Sequence, residues 1–114
     1  MEAKELFELA LQEHTKKNFI SAEKLYKKIL EKYPNELSTL NNLGTVLKEL
    51  GKNNEAVSYY EKALELKPED IITNYNLAIL FSKLEEFQKS VIFYEKVIKT
   101  DPTHFQSYHN LLDI

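Results

Sequence analysis

The chain has 114 residues, enough for one compact domain, and its net charge is −3, with 15 basic residues that are all lysine. The near-balanced charge argues against a nucleic-acid-binding face, and the absence of cysteine excludes a disulfide framework and a cysteine-ligated metal. No apolar run is long enough for a membrane helix, and the acidic, amphipathic start MEAKELFELA differs from a secretory signal peptide. We therefore expect a cytoplasmic protein with neither nucleic-acid nor membrane partners.

Three prolines divide the chain at a constant interval of 34 residues: Pro34, Pro68 and Pro102. Aligning the sequence on them gives three repeats, 3–36, 37–70 and 71–104, and a partial fourth, 105–114. Each proline follows a helical pattern, and because proline cannot continue a helix it marks the end of that pattern.

Each full repeat contains two helical patterns in succession, separated by a short polar turn such as residues 51–54. The first half carries apolar or small residues at helical spacing, namely Leu6, Leu9 and Ala10; Leu40, Leu43, Gly44 and Leu47; and Leu77, Ala78 and Phe81. The second half has them at i, i+3, i+4, i+7 and i+8, as in Ala22, Leu25, Tyr26, Ile29 and Leu30; Ala56, Tyr59, Tyr60, Ala63 and Leu64; and Ser90, Phe93, Tyr94, Val97 and Ile98. This spacing is typical of one face of an amphipathic helix, so seven helices are predicted.

Small residues recur at one position in each half of the repeat. They are Ala10, Gly44 and Ala78 in the first half, and Ala22, Ala56 and Ser90 in the second. A glycine inside a helix costs about 0.8–1.0 kcal/mol relative to alanine, so Gly44 needs a reason. We predict that the paired helices approach closely at these positions and that packing offsets the propensity cost.

The pattern resembles the tetratricopeptide repeat family. The second repeat matches the family at eight positions, Leu40, Leu43, Gly44, Leu47, Ala56, Tyr60, Ala63 and Pro68, whereas Glu13 and Asn74 depart from it in the other repeats. Residues 41–70 are especially similar to the repeats of O-linked N-acetylglucosamine transferases, although no catalytic domain accompanies them. The resemblance implies an all-α, right-handed α-solenoid of antiparallel helix pairs, forming a single domain over residues 1–114.

No catalytic or metal-binding motif stands out in the sequence. His14, His104 and His109 show no paired spacing, and the two glycines cannot form a phosphate-binding loop. His109 and Asp113 lie four residues apart, which we interpret as a solvated pair on the last helix. The sequence therefore predicts a protein that is not an enzyme and that uses no cofactor and no metal.

The resemblance also implies where a ligand binds, because the family uses a concave groove lined by the first helix of each repeat. Asparagines recur there 34 residues apart, at Asn42, Asn76 and Asn110. In transferase-type repeats a similar asparagine ladder holds an extended peptide by its main chain, since an amide both donates and accepts hydrogen bonds. The other predicted peptide-binding residues are Phe7, Leu11, Thr45, Lys48, Tyr75, Ile79 and Lys83. The alternative is that the asparagines only bond neighbouring helices.

These patterns favour a scaffold that binds a protein or an extended peptide. The alternative is a structural or self-associating segment of a longer repeat array, stacking end to end on other copies. Family members that clamp the C-terminal EEVD carboxylate of the large chaperones use lysine, arginine and asparagine at positions held here by Phe7, Leu11, Asn42, Ile72 and Asn76. Since only Asn42 fits, the sequence predicts that this chain does not bind that carboxylate.

Overall fold

The computed structural model describes residues 1–114 and contains seven α-helices and no strand. This confirms the prediction of an all-α chain built from repeated helix pairs. In chain order the helices are α1 (Ala3–Thr15), α2 (Phe19–Lys32), α3 (Leu37–Glu49), α4 (Asn53–Leu66), α5 (Ile71–Lys83), α6 (Phe87–Thr100) and α7 (Phe105–Leu112).

The chain divides into two compact units, Met1–Leu66 and Lys67–Ile114. In unit 1, α2 packs against both α1 and α3, and α3 packs against α4. In unit 2, α6 packs against both α5 and α7. Each unit thus buries the apolar faces of its own helix pairs, as repeat proteins do between neighbours. A single domain over residues 1–114 stays a prediction.

The small residues lie where paired helices meet. All six positions, Ala10, Gly44, Ala78, Ala22, Ala56 and Ser90, are buried. A Cβ atom on Gly44 would lie 2.6 Å from Cε1 of Tyr60, closer than packed atoms allow. Glycine therefore lets α3 and the Tyr60 ring of α4 come into contact. In unit 2 the Ser90 hydroxyl donates a 2.7 Å hydrogen bond to the Ala78 carbonyl, so a polar residue also fits such a position.

The helices α3 and α5 begin with the same capping arrangement. The Glu36 carboxylate accepts hydrogen bonds from the Thr39 amide at 3.0 Å and from its hydroxyl at 2.8 Å. Asp70 accepts the equivalent pair from Thr73, at 3.0 and 2.7 Å. Each cap satisfies amide groups that the first turn of a helix leaves unpaired, and so fixes where the helix begins.

A buried carboxylate links α2 to the turn before α4 in unit 1. Glu23 accepts from the ammonium groups of Lys27 at 2.7 Å and Lys52 at 3.0 Å. Burial opposes ionisation, but the two lysines outweigh it and hold the pKa of Glu23 below its usual value. The charged carboxylate therefore helps to hold α4 in place relative to α2.

Two positions after the first helix of each full repeat, the chain has a residue with positive φ: Lys17 at 65°, Gly51 at 77° and Glu85 at 61°. The next residue donates its amide to a carbonyl five residues earlier, at 2.8 Å in all three cases, which is the Schellman arrangement. Only glycine adopts this left-handed conformation without a steric penalty. Two of the three turns therefore carry a strained residue.

Replacing Lys17 or Glu85 with glycine is expected to stabilise the protein by about 1 kcal/mol, because the left-handed conformation costs a side chain about 1–2 kcal/mol. Urea denaturation followed by circular dichroism measures the change. Lys17→Ala is the control, since alanine removes the charged side chain but keeps the strain. If Lys17→Ala stabilises as much as Lys17→Gly, the strain argument is wrong.

Candidate binding surface

Five of the predicted site residues lie on unit 1: Phe7 and Leu11 on α1, and Asn42, Thr45 and Lys48 on α3. We call them the unit 1 surface. Leu11 is exposed, and the other four are half-buried. Half-burial at these positions means that each side chain contacts the fold on one side and is accessible on the other.

Tyr26 of α2 brings part of the unit 1 surface together. Its ring lies 6.2 Å from the Phe7 ring, between centroids, and its hydroxyl lies 3.1 Å from Nδ1 of His14. Burial raises the pKa of Tyr26 to about 12, although a hydrogen bond from the Asn42 side chain opposes the rise. The hydroxyl therefore stays protonated at neutral pH, and the Asn42 amide is engaged with α2.

Thr45 is also held by the fold, whereas Lys48 pairs only with its neighbour in the chain. The Thr45 hydroxyl lies 2.8 Å from the Tyr60 hydroxyl and 3.1 Å from the Asn41 carbonyl. Burial raises the pKa of Tyr60 to about 12, with the Thr45 hydrogen bond opposing the rise. The Lys48 ammonium lies 4.0 Å from the Glu49 carboxylate. Thr45 thus has a structural role in orienting Tyr60.

The other five predicted residues lie on unit 2: Tyr75, Asn76, Ile79 and Lys83 on α5, and Asn110 on α7. We call them the unit 2 surface. The Asn110 amide donates to the Tyr94 hydroxyl at 3.1 Å and to the Tyr75 hydroxyl at 3.3 Å. Its carbonyl oxygen accepts from Gln106 at 2.9 Å. The structure therefore joins Asn110 and Tyr75, and it uses both ends of the Asn110 amide internally.

Asn76 differs from the two asparagines at equivalent positions. It is half-buried, and its side chain makes no hydrogen bond within the chain. The half-buried Ile79 and the exposed Lys83 lie on the same helix, and Lys83 forms no ion pair. Asn76 therefore offers both a donor and an acceptor to a ligand, whereas Asn42 and Asn110 already hold tyrosines of the preceding repeat.

The tyrosine hydroxyls that bond to the asparagines were not among the site residues predicted from the sequence. Tyr26, Tyr60 and Tyr94 are buried at equivalent positions, and a polar side chain contacts each hydroxyl. Burial also raises the pKa of Tyr94. The sequence did contain a signal, namely tyrosine at a buried position of every repeat. A buried tyrosine hydroxyl needs a hydrogen-bond partner, whereas phenylalanine would fill the same space without one.

Two features bear on other functions. No group of three or more His, Cys, Asp or Glu side chains is arranged to hold a metal ion, and His109 and Asp113 form an exposed pair 3.9 Å apart. None of the helices combines the length and the apolar character needed to cross a membrane.

Several solved structures resemble the fold closely. A tetratricopeptide repeat protein from Parabacteroides merdae ATCC 43184 superposes with a TM-score of 0.89 at 28% identity, over 96% of this chain and 44% of its own. The first TPR of Spaghetti (RPAP3), bound to the HSP90 peptide SRMEEVD, gives 0.91 at 19% identity, over 97% and 88%. YrrB, a TPR protein with an unusual peptide-binding site, gives 0.90 at 21% identity, over 96% and 57%. The chain thus spans about half the length of the first and third of these.

Two kinds of sequence comparison were made, one with curated proteins and one with models of protein families. A search of curated proteins gave no significant match. Two family models, both described as tetratricopeptide repeat, match residues 3–69 and residues 47–113. Together with the repeated helix pairs and the small-residue contacts, these matches show that the chain belongs to the tetratricopeptide repeat family.

Proposed function

We propose that the chain is a non-catalytic scaffold that binds an extended segment of a partner protein. The observation that carries the proposal is Asn76, an accessible amide without an internal partner, which lies on α5 beside Tyr75 and near Ile79. Similar folds support it, because one was determined with a bound peptide and another is described as having a peptide-binding site.

The chemistry of the unit 2 surface suits a peptide main chain. Each peptide unit has one donor and one acceptor, and the Asn76 amide can bond to both. Tyr75 and Ile79 supply apolar contacts, and Lys83 supplies a positive charge. In transferase-type repeats the whole asparagine ladder takes part. Here Asn42 and Asn110 would have to exchange their tyrosine bonds for ligand bonds, so we assign the main role to Asn76.

Replacing Asn76 with alanine should weaken partner binding roughly two- to tenfold for each hydrogen bond that the amide makes to the partner, since one hydrogen bond contributes about 0.5–1.5 kcal/mol net. The melting temperature should not fall, because no internal bond is lost and alanine is the better helix former. The test is affinity capture with the wild-type chain, followed by calorimetric titration of the captured segment with wild-type and Asn76→Ala protein.

Asn110→Ala is the matched control for this experiment, because it removes the same amide from a position where the fold uses it. It should lower the melting temperature through the loss of its bonds to Tyr75 and Tyr94. If Asn76→Ala binds the segment as tightly as wild type, the assigned role of Asn76 is wrong.

A peptide ending in EEVD should not bind through its terminal carboxylate. The positions that would supply the clamp are occupied by Phe7, Leu11, Ile72 and Asn76, none of which carries a positive charge. A carboxylate bound there would lose its water without gaining a cation. Calorimetry with the free and the C-terminally amidated peptide checks this. Micromolar binding that disappears on amidation would contradict it.

A second candidate function is self-association, favoured by an apolar stripe on α7. Phe105, Tyr108 and Leu112 lie on one side of this helix, and their exposed fractions are 76%, 41% and 85%. The equivalent positions Leu6 and Ala10 of α1 are buried in unit 1. Sedimentation at several concentrations, with Leu112→Glu as the control, separates an associating chain from a monomer.

A further inference from the structure

Unit 1 contains an apolar cavity of about 440 Å³ next to Phe7. It lies between the start of α1, the end of α2 and the start of α3. Its apolar walls are Ala3, Phe7, Ile29 and Tyr33, and charged side chains, including Lys4 and Glu36, stand at its edge. Tyr33 is exposed, and Phe7 is half-buried. An accessible aromatic surface thus borders a space large enough for a side chain of another molecule.

Unit 2 shows what chemistry fits beside the equivalent aromatic ring. Tyr75 takes the repeat position of Phe7, and His104 takes the position of Glu36, each 68 residues later. The centroids of the Tyr75 and His104 rings are 4.8 Å apart, at an interplanar angle of 56°. The Ser107 hydroxyl lies 2.8 Å from Nδ1 of His104 and holds that ring in place. In unit 2 the chain therefore covers its own aromatic side chain with an imidazole ring.

Unit 1 has no ring beside Phe7, because the residue at the equivalent position, Glu36, caps α3 instead. Glu36 has no aromatic ring, and its carboxylate turns back to accept both hydrogen bonds from Thr39, at 3.0 and 2.8 Å. One side of Phe7 is consequently left facing the cavity. The place that His104 fills in unit 2 is available to a ligand in unit 1.

We propose that this cavity binds an aromatic side chain of the partner segment, specifically one whose ring carries an N–H or O–H donor. The proposal rests on the proposed function and adds the identity of one partner residue. Paired aromatic rings attract each other beyond the area they bury. Glu36 uses only one carboxylate oxygen in its cap, so the other can accept from the donor of the ring.

The test uses small probes rather than an unidentified partner. ¹⁵N-labelled protein is titrated with N-acetyl-L-tryptophanamide and, as the control, with N-acetyl-L-leucinamide, while amide chemical shifts are recorded. The tryptophan amide should cause saturable shifts centred on Ala3, Phe7, Ile29 and Tyr33. The leucine amide should bind there several-fold more weakly. Equal affinity for the two amides, or shifts centred elsewhere, would overturn the proposal.

Two variants test the mechanism. Phe7→Leu should weaken binding of the tryptophan amide roughly three- to tenfold, which corresponds to the loss of one aromatic pair. Glu36→His should block binding, because it reproduces the unit 2 arrangement and places an imidazole beside Phe7. Gln12→Ala, at an exposed position on the same helix but outside the cavity, should bind as wild type does. Circular dichroism verifies that each variant is folded. Wild-type affinity in Glu36→His would overturn the proposal.

The same variants distinguish this inference from the proposed function. Binding of the partner segment could be weakened by Asn76→Ala but not by Glu36→His. That result would leave the scaffold function in place and refute the aromatic site. The opposite result is that Glu36→His blocks binding of the tryptophan amide while Asn76→Ala leaves binding of the partner segment unchanged. That result would support the aromatic site and refute the role of Asn76.

Discussion

Tyr60→Ala is expected to lower the free energy of unfolding by about 3–5 kcal/mol, the range for truncating a buried aromatic side chain. Tyr60 has no exposed surface, its ring lies against Gly44, and its hydroxyl is 2.8 Å from that of Thr45. Alanine would leave a cavity between α3 and α4 and would remove the partner of Thr45. Urea denaturation at neutral pH, followed by circular dichroism or by the amide NMR signals of unit 1, measures the loss.

Tyr60→Phe is the matched control for this prediction, since it keeps the ring and removes only the hydroxyl. It should cost about 0.5–1.5 kcal/mol, the net value of one hydrogen bond. Equal losses for Tyr60→Phe and Tyr60→Ala would mean that the ring is not the main stabilising contact, and the packing described for α3 and α4 would be wrong.

Gly44→Leu is expected to destabilise the protein by about 1–3 kcal/mol or more. The first added atom, Cβ, would already lie 2.6 Å from Cε1 and 2.8 Å from Cζ of Tyr60, and leucine adds three more carbons. Overpacking of a filled core typically costs about 1–3 kcal/mol and occasionally more. The better helix propensity of leucine offsets less than about 1 kcal/mol of this. The same denaturation measurement gives the value.

Gly44→Ala in two backgrounds shows whether the Tyr60 ring is the cause. With Tyr60 present, alanine should destabilise the protein, because its Cβ cannot be placed without a shift of the ring. In the Tyr60→Ala background the clash is gone, and the same change should stabilise by up to about 1 kcal/mol through helix propensity. Destabilisation of similar size in both backgrounds would contradict the assigned contact.

The 34-residue period predicted most of the fold. The apolar spacing placed all seven helices, because an amphipathic face repeats every 3.6 residues and each proline ends a helix. The small residues Ala10, Gly44 and Ala78 predicted close helix pairs, because a small side chain lets a neighbouring helix approach. The division between Leu66 and Lys67 was not predicted, because it depends on how much each interface buries, which a repeat pattern does not specify.

The candidate site was less predictable, and Asn42, Asn76 and Asn110 show why. The repeat places all three at one position, so the sequence gives them one predicted role. The structure engages Asn42 with Tyr26 and Asn110 with Tyr75 and Tyr94, and it leaves Asn76 without an internal bond. Such differences depend on side-chain direction and on neighbours in other helices. The cavity beside Phe7 was also unpredictable, because it depends on Glu36 turning back to cap α3.

A partner should bind the first helices of the repeats rather than the second helices. Site-specific photo-crosslinking tests it within one unit, by placing a photoreactive phenylalanine analogue at Ile79 of α5 or at Ile92 of α6, in cells that express the chain. Ile92 is the control because it is 53% exposed and lies on a second helix. We expect a crosslinked partner with the probe at position 79, reduced by Asn76→Ala, and none at position 92. A partner crosslinked at position 92 and not at position 79 would contradict the claim.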